Sequence, residues 1–394
     1  MAGLFASVKG AIRREWRQLW STPWEWITTI ALPVFWCVLM ACLFQQGLMR
    51  ELPVGVVDLD KTPQSLHVQG YFDALPSVKL HSLDSPEQAL TGVRRGDLNG
   101  YIVIPEGWTR NARSTQADAI EIYIPKSIYA IGVNIEIDLK QALLAYSHES
   151  LKQMAFSVGA NEKQADRLLN NLIVNTVLLG NIGFNFHAYL LATLFPGILG
   201  LTMILVTATS FVREFRDQTT RSWIKDANDN AWGAIVGKML FWIGVYALLG
   251  LGYLAYFTGY AGWGIGASLG LWALAIVTLF VIMASWAVLF TSIFIPLGWV
   301  IVLSVCIGCT APIYPYTGFS YPIESMTAGA QFLAHCFPLT HFMQLQSAAW
   351  VLHPPLQTWL VDWMLFALFA IVPLLIGIPL LKSRLEKFNG GLHE

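Results

Sequence analysis

Charge is what this sequence has least of. Asp, Glu, Lys and Arg make up 12% of its 394 residues, against about 25% in a soluble domain. From Met239 to Leu381 there is no Lys or Arg at all. A net charge of −1 offers no basic surface to neutralise phosphates, which excludes a nucleic-acid binder. Cysteine is scarce as well. Of the five, Cys37, Cys42, Cys306, Cys309 and Cys336, none falls in 50–186, so no disulfide framework supports that polar segment. The thiols in apolar runs read as small apolar side chains; "CIGC" at 306–309 would place two on one helix face, without the further ligands a metal needs. Catalytic constellations are missing too: there is no His-Glu-x-x-His and no G-x-S-x-G. A phosphate-cradling loop needs G-x-x-x-x-G-K-[ST]. The nearest stretch, "GAIVGKM" at 233–239, is one residue short between its glycines and ends in Met.

What the chain has in place of charge is apolar length. It is 55% hydrophobic, with sixteen Trp and 22 Phe, suited to packed helices and bilayer interfaces. Apolar runs at about 26–46, 188–212, 234–257, 268–293, 297–316 and 358–381 each approach the roughly 20 residues that cross a bilayer. "LMAC" at 39–42 resembles a lipoprotein cleavage box, but the N-region and apolar run are too long for a signal peptide, and 26–46 reads as a retained first span. In residues 1–25, Leu4, Val8, Ala11, Ile12, Trp16, Leu19 and Trp20 recur at helical spacing, opposite Lys9, Arg13, Arg14 and Arg17. That pattern predicts an amphipathic helix in the membrane interface.

Residues 47–186 change character. "PVGVVDLD" (53–60), "GYIVIP" (100–105) and "AIEIYIP" (119–125) read as short strands. "SPEQALTGVRRGD" (85–97) reads as a capped helix start. From Ile128 to about Leu179 the pattern is helical, with Ile131, Ile135, Leu139, Leu143 and Tyr146 on one face. The expectation is an α+β domain with its own core. Between the last two spans, 317–357 is broken by Pro322, Pro338, Pro354 and Pro355. Non-helical backbone at membrane depth must be buried or line water, so this segment reads as a re-entrant helix pair. The fold class expected is a mainly α membrane protein: six spans, an extracytoplasmic α+β domain between spans 1 and 2, a transmembrane domain at 187–381 and a tail at 382–394. Basic residues cluster in the N-terminal segment, in the loop with Lys238 and in the tail; with six spans all three fall on one side, which is the cytoplasm by the positive-inside rule.

The loop 213–232 holds most of the charge inside the apolar half. "FVREFRDQTTRSWIKDANDN" (211–230) has four basic and four acidic side chains in twenty residues, with Trp223 and Ile224 set among them. A short helix with a charged face and an aromatic anchor suits docking of another protein; a snorkelling helix end with one interfacial Trp is the plainer reading. His335, His341 and His187 sit near the outer side and read as polar lining before metal or proton sites. Glu324 and Asp362, the only acids between 239 and 381, fall near an outer boundary, where charge costs less than at a helix centre.

One span, an outer domain, then five spans with charge in this loop resembles the permease subunits of type-2 ATP-binding-cassette exporters. "PVGVVDLDKTPQS" (53–65), "GDLNGYIVIPEGW" (96–108), "GFSYPIESM" (318–326) and "FPLTHF" (337–342) are similar to that family's outer strands and re-entrant segment. "REFRDQTTRSWI" departs from its pattern: Gln218 replaces a Gly, Arg221 an acidic residue and Trp223 a leucine. The resemblance implies a coupling helix seated in a cytoplasmic ATPase subunit, with Arg213, Glu214, Arg216, Asp217 and Trp223 as coupling residues and Glu214 as transmitter. ATP and Mg would be carried by that ATPase, with no cofactor in this chain. It further implies a second permease subunit, identical or paralogous, a periplasmic adaptor, and a path lined by spans one, two and five. Phe35, Phe184, Phe186, Phe195 and Phe319 are candidate path residues, suiting a drug, lipid or glycolipid moved out across the inner membrane. The rival reading is a non-transport membrane scaffold whose outer domain binds an envelope or secretion partner.

Overall fold

The computed structural model describes residues 2–45, 47, 49–111, 119–125, 129–159, 161–162, 185–261, 269–310, 316–318, 321–352 and 355–390. The chain forms two compact units, one from 1–45 with 178–394 and one from 46–177.

The smaller unit is built on a four-stranded sheet of order β2-β1-β3-β4, from β1 (Leu52–Asp58), β2 (Val78–Ser82), β3 (Tyr101–Ile104) and β4 (Glu121–Tyr123). β1 pairs in parallel with both β2 and β3, while β4 is antiparallel to β3. Helices α3 (Pro63–Asp73) and α4 (Pro86–Arg95) connect successive strands, as parallel pairing demands. Each starts at a side-chain cap, Thr62 and Ser85, followed directly by Pro. β1 reads as a continuous apolar run because both its faces are covered. Val54 and Val56 pack with Val68, Phe72, Ile135 and Leu139, and Val57 packs with Ala89, Tyr101 and Val103. Elements therefore alternate strand and helix, where the sequence suggested an α+β arrangement. β2 ("VKLHS") is too short and polar to announce itself, and α3 was hidden in a Pro-Gln-Ser turn signal. The long helix α6 (Tyr129–Ser157) buries Ile135 and Leu139 as its periodicity predicts; the expected continuation toward Leu179 passes into 163–184, outside the described residues. A short α5 (Trp108–Asn111) lies between β3 and β4.

The larger unit is helical. It opens with α1 (Ala2–Ser21). Among the described residues, five helices are long and apolar enough to cross a membrane: α2 (Pro23–Leu43), α7 (Phe186–Arg216), α9 (Ala231–Tyr260), α10 (Leu269–Leu297) and α14 (Leu356–Gly390). The expected span 297–316 is, over its described residues, a helix α11 of twelve residues, Trp299–Thr310, about 18 Å long at 1.5 Å per residue. The chain is reset before it by Pro296 and by Gly298 at φ 113°. Cys306 is buried and Cys309 exposed. Where a re-entrant pair was expected there are two short helices, α12 (Ala328–Cys336) and α13 (Pro338–Ser347). Helix α8 (Thr220–Asp226) fills the loop between α7 and α9.

Proline shapes the packing of the spans. A proline inside a helix removes the N–H that would reach the carbonyl four residues earlier, and in a bilayer an orphaned carbonyl must be satisfied from elsewhere. At three prolines a neighbouring helix supplies the missing donor. Pro196 frees the Ala192 carbonyl, which accepts from Gln346 Nε2 of α13 at 2.6 Å. Pro373 frees the Phe369 carbonyl, taken by Trp286 Nε1 of α10 at 3.2 Å. Pro33 frees the Thr29 carbonyl, beside a π-helical turn at Ile27–Ala31, and Tyr246 Oη of α9 reaches it at 3.1 Å. Gln346 is 3% exposed, and its Oε1 also takes Trp272 Nε1 at 3.1 Å and Tyr253 Oη at 3.2 Å. One side chain thus ties α13 to α7, α9 and α10.

α1 docks on α9 through small residues. A Cβ on Gly237 would lie 2.7 Å from the Ala11 Cβ and the Val8 carbonyl oxygen, and one on Gly233 would collide with Ser7. "GAIVG" is therefore a close-approach motif of the small-xxx-small kind. The stripe buried on α1 is Ser7, Ala11, Glu15 and Leu19, while Trp16 and Trp20 are exposed. The sequence placed the apolar stripe over Trp16 and did not foresee an acid at its centre. Gly237→Leu is expected to displace α1, read as a lowered thermal midpoint and faster proteolysis within residues 2–21.

A buried ion network beneath helix α8

Lys238 would be hard to justify one turn or more inside an apolar span unless it were fully partnered, since an isolated buried ammonium is very costly. It is 0% exposed; it donates to Glu214 and to the Ser210 carbonyl and pairs ionically with Glu15. Nζ lies 2.8 Å from Glu214 Oε1, 2.9 Å from Glu15 Oε1 and 2.9 Å from the Ser210 carbonyl. The Trp223 ring stands 4.7 Å from the same ammonium and the Phe211 ring 5.7 Å, adding cation–π attraction in a dry setting.

Each carboxylate reaches further. Glu214 Oε2 accepts from Arg14 at 3.0 Å and from Thr219 Oγ1 at 2.5 Å. Glu15 Oε2 accepts from Trp242 Nε1 at 3.2 Å. Arg14 also donates to Asp226 at 2.8 Å and Ser222 at 3.2 Å, and Arg213 holds Glu25 through both carboxylate oxygens at 2.6 and 2.7 Å. The network therefore joins α1, α2, α7, α8 and α9 at one end of the bundle. α8 has a further tether on α14, where Thr220 Oγ1 donates to Asn389 Oδ1 at 2.7 Å and Arg221 to its carbonyl at 2.9 Å. Burial makes the network unforgiving: removing one partner from a buried ion pair costs about 3–5 kcal/mol because the other charge is stranded.

The five residues singled out from sequence separate into two groups. Arg213, Glu214 and Trp223 converge on the network. Arg216 and Asp217 pair with each other at 2.8 Å on the exposed side, and the Arg216 hydrogen bond holds the Asp217 carboxyl below the usual range. Trp223 is 0% exposed, so it is an internal strut and no anchor for a partner. Its Nε1 finds no acceptor. The accessible face of α8 is polar instead: Arg221, Ser222, Lys225 and Asp226. Gln218, standing where the resembling pattern has Gly, adopts φ 55°, a left-handed conformation that costs a non-glycine residue about 1–2 kcal/mol. Gln218→Gly is expected to be tolerated and Gln218→Val to lower the thermal midpoint, since a branched Cβ suffers most there.

Sequence reasoning missed Lys238, Glu15 and Glu25. The signal for Lys238 was available, because an ionisable residue within a span marks a functional position with a partner. Glu15 was a lone acid on a helix read as basic.

Of the candidate path residues, Phe195 is 5% exposed and lines a cavity of 390 Å³ between α2, α7 and α9, with Val38, Cys42, Leu249, Tyr253 and Tyr256. Phe35 is exposed and stacks edge-on with Trp36, away from that cavity's lining. Phe184, Phe319 and the Phe186 side chain lie outside the described residues. The cavity is walled by spans one, two and three. His187 Nε2 meets Tyr256 Oη at 2.7 Å. His335 and His341 each engage a backbone carbonyl, of Gln331 at 2.7 Å and of His335 at 2.9 Å. Glu324 and Asp362 are exposed.

Residues 23–378 match a family model described as ABC-2 family transporter protein. No curated protein matches the chain.

Proposed function

This chain belongs to the ABC-2 transporter family and is a multi-pass permease partnered by an ABC ATPase subunit; from that premise we propose that it exports a hydrophobic or amphipathic cargo by alternating access, driven through α8. The polar face of α8 seats in the ATPase, and closure of the ATPase dimer displaces α8. The observation that carries this reading is the Lys238 network. A push on α8 cannot be absorbed locally, because Arg14, Glu214 and Lys238 join it to α1, α7 and α9. The unpartnered Trp223 indole favours a second packing of α8 in which that N–H is satisfied, the two-state element that nucleotide would bias.

Two permease subunits, identical or paralogous, pair with two ATPases in the inner membrane. The network end and both termini face the cytoplasm; Trp299–Thr310 belongs to a sixth crossing, 317–357 re-enters from outside, and 47–186 lies outside, where a periplasmic adaptor engages it. An apolar cavity beside Phe195 suits a drug, lipid or glycolipid. ATP and Mg act on the ATPase.

The test is co-purification from native membranes in mild detergent. Lys225→Glu, on the exposed face of α8, is expected to weaken retention of the ATP-hydrolysing subunit while the permease keeps its thermal midpoint. Wild-type permease that brings no ATPase under any gentle condition would shift the reading to a membrane scaffold.

A further inference from the structure

At the network end of the bundle, but on the flank away from α1, a groove of 530 Å³ lies between the end of α7, the turn before α11 and the end of α14. Its charged lining residues are all cations: Arg216, Arg384 and Lys387. Arg216 is held by Asp217 through Nε and Nη2, at 2.8 and 3.2 Å. Among the described residues Arg384 and Lys387 have no carboxylate partner; the neighbouring Glu386 is taken by Lys382 at 3.5 Å. Arg384 Nε is shielded from solvent and makes no hydrogen bond. A guanidinium donor left unmet in a shielded place costs about 1–3 kcal/mol or more, so an acceptor is missing from this groove.

The walls say what kind of acceptor. Trp299 is 44% exposed and packs its ring 6.0 Å from the Arg216 guanidinium. Phe215 and Phe388 close the floor edge-to-face at 5.4 Å. Directly beside the groove, Leu297 and Val300 are exposed, on elements whose neighbours are bilayer-spanning helices. Tryptophan at a span end marks headgroup level, and basic pockets between spans at that level take anionic headgroups. A free phosphate would use the cations but leave Trp299, Leu297 and Val300 without a role. We propose that this groove binds the phosphodiester headgroup of an anionic phospholipid, with acyl chains running along α10 and α11. Arg384 grips the phosphate in its planar fork, Lys387 adds charge, and Arg216, whose Nε and Nη2 are held by Asp217, contributes its remaining Nη1 edge. The site stands apart from the transport reading: it would exist in a scaffold as well as in an exporter.

Occupancy would also brace α8, because the groove is floored by Phe388, next to the Asn389 that holds Thr220 and Arg221. The experiment uses the full-length permease in nanodiscs of phosphatidylcholine alone or with phosphatidylglycerol. It measures lipid retained after detergent extraction by native mass spectrometry, together with the thermal midpoint. Wild type is expected to retain phosphatidylglycerol selectively and to melt higher in its presence. Arg384→Gln with Lys387→Gln should lower that selectivity roughly 30-fold, two surface charges' worth. Lys382→Gln, on the same helix but outside the groove, should leave it unchanged. Millimolar inorganic phosphate should not displace the lipid; displacement would make this a free-anion site and overturn the proposal. Unchanged selectivity in the double variant also overturns it, and if that variant instead loses the ATPase on co-purification, the groove is a protein-docking surface.

Discussion

Lys238→Met is expected to cost the permease about 3–5 kcal/mol and to sever α8 from the spans. The substitution keeps the length and apolar stem of the side chain, so no cavity confounds it, but it leaves Glu15 and Glu214 facing one another without the ammonium between them. Both carboxylates are 1% exposed, so water does little to offset the loss. Arg14 still holds Glu214 at 3.0 Å and Arg213 lies 3.5 Å from Glu15, yet each is shared with a second carboxylate, Asp226 and Glu25, so neither replaces the ammonium between the two buried acids. The measurement is the thermal midpoint and yield of the permease–ATPase complex in nanodiscs, with ATP hydrolysis in parallel. A triple variant, Glu15→Gln with Lys238→Met and Glu214→Gln, removes the stranded charges. It should regain most of the stability, because replacing a whole buried ionic cluster by neutral groups is often nearly neutral. It should not regain coupling, since the fixed geometry between α1, α7, α8 and α9 came from the charges. Stability and coupling therefore part company in the triple variant, which a purely structural role for Lys238 would not produce.

Gln346→Leu is expected to be the most costly change at the opposite end of the packing. It removes the shorter of the two hydrogen bonds to the Ala192 carbonyl that Pro196 has freed, leaving only Tyr253 Oη at 3.4 Å, and it leaves Trp272 Nε1 without its acceptor. Each unsatisfied buried group costs about 1–3 kcal/mol, although interhelical hydrogen bonds inside bilayers average nearer 0.6 kcal/mol. The diagnostic is Pro196→Ala, which returns an N–H to the Ala192 carbonyl from within α7. In that background Gln346→Leu should cost clearly less than in the wild type, measured as a double-mutant cycle on thermal midpoints. Equal cost in both backgrounds would mean that the proline-freed carbonyl is not what Gln346 serves.

Much of the architecture was legible because it depends on composition and period. Apolar runs of span length marked six crossings, five of which are long apolar helices among the described residues, and the α6 periodicity named Ile135 and Leu139 as core. Short or polar elements were not legible: β2 is five residues of "VKLHS", and α3 hid behind turn residues. The start of α11 was placed two residues early because its apolar run merges with that of α10 across Pro296, where hydropathy does not register a break; its expected end falls beyond 311–315, which lie outside the described residues. At the site, Glu214 and Arg213 stood out as charges at a span end. Trp223 was misread as a surface anchor, since composition cannot tell whether an indole in a charged loop points outward or under its own helix. Lys238 was counted for topology alone, and the glycines of "GAIVGK" were weighed only against phosphate binding. What decides their role is the approach of α1, more than 200 residues away in sequence, and no local pattern carries that.

The central claim is that α8 and the spans move as one through the Lys238 network. It is tested most directly by thiol-labelling rates with and without ATP in the permease–ATPase complex, with native cysteines replaced. One probe is Lys225→Cys on the exposed face of α8, and the other is Leu248→Cys, 71% exposed on α9. In an otherwise wild-type permease, ATP should change both rates. With the charge-free triple variant, the α8 probe should still respond and the α9 probe should fall silent. An α9 probe that responds to ATP as strongly without the network as with it would contradict the account.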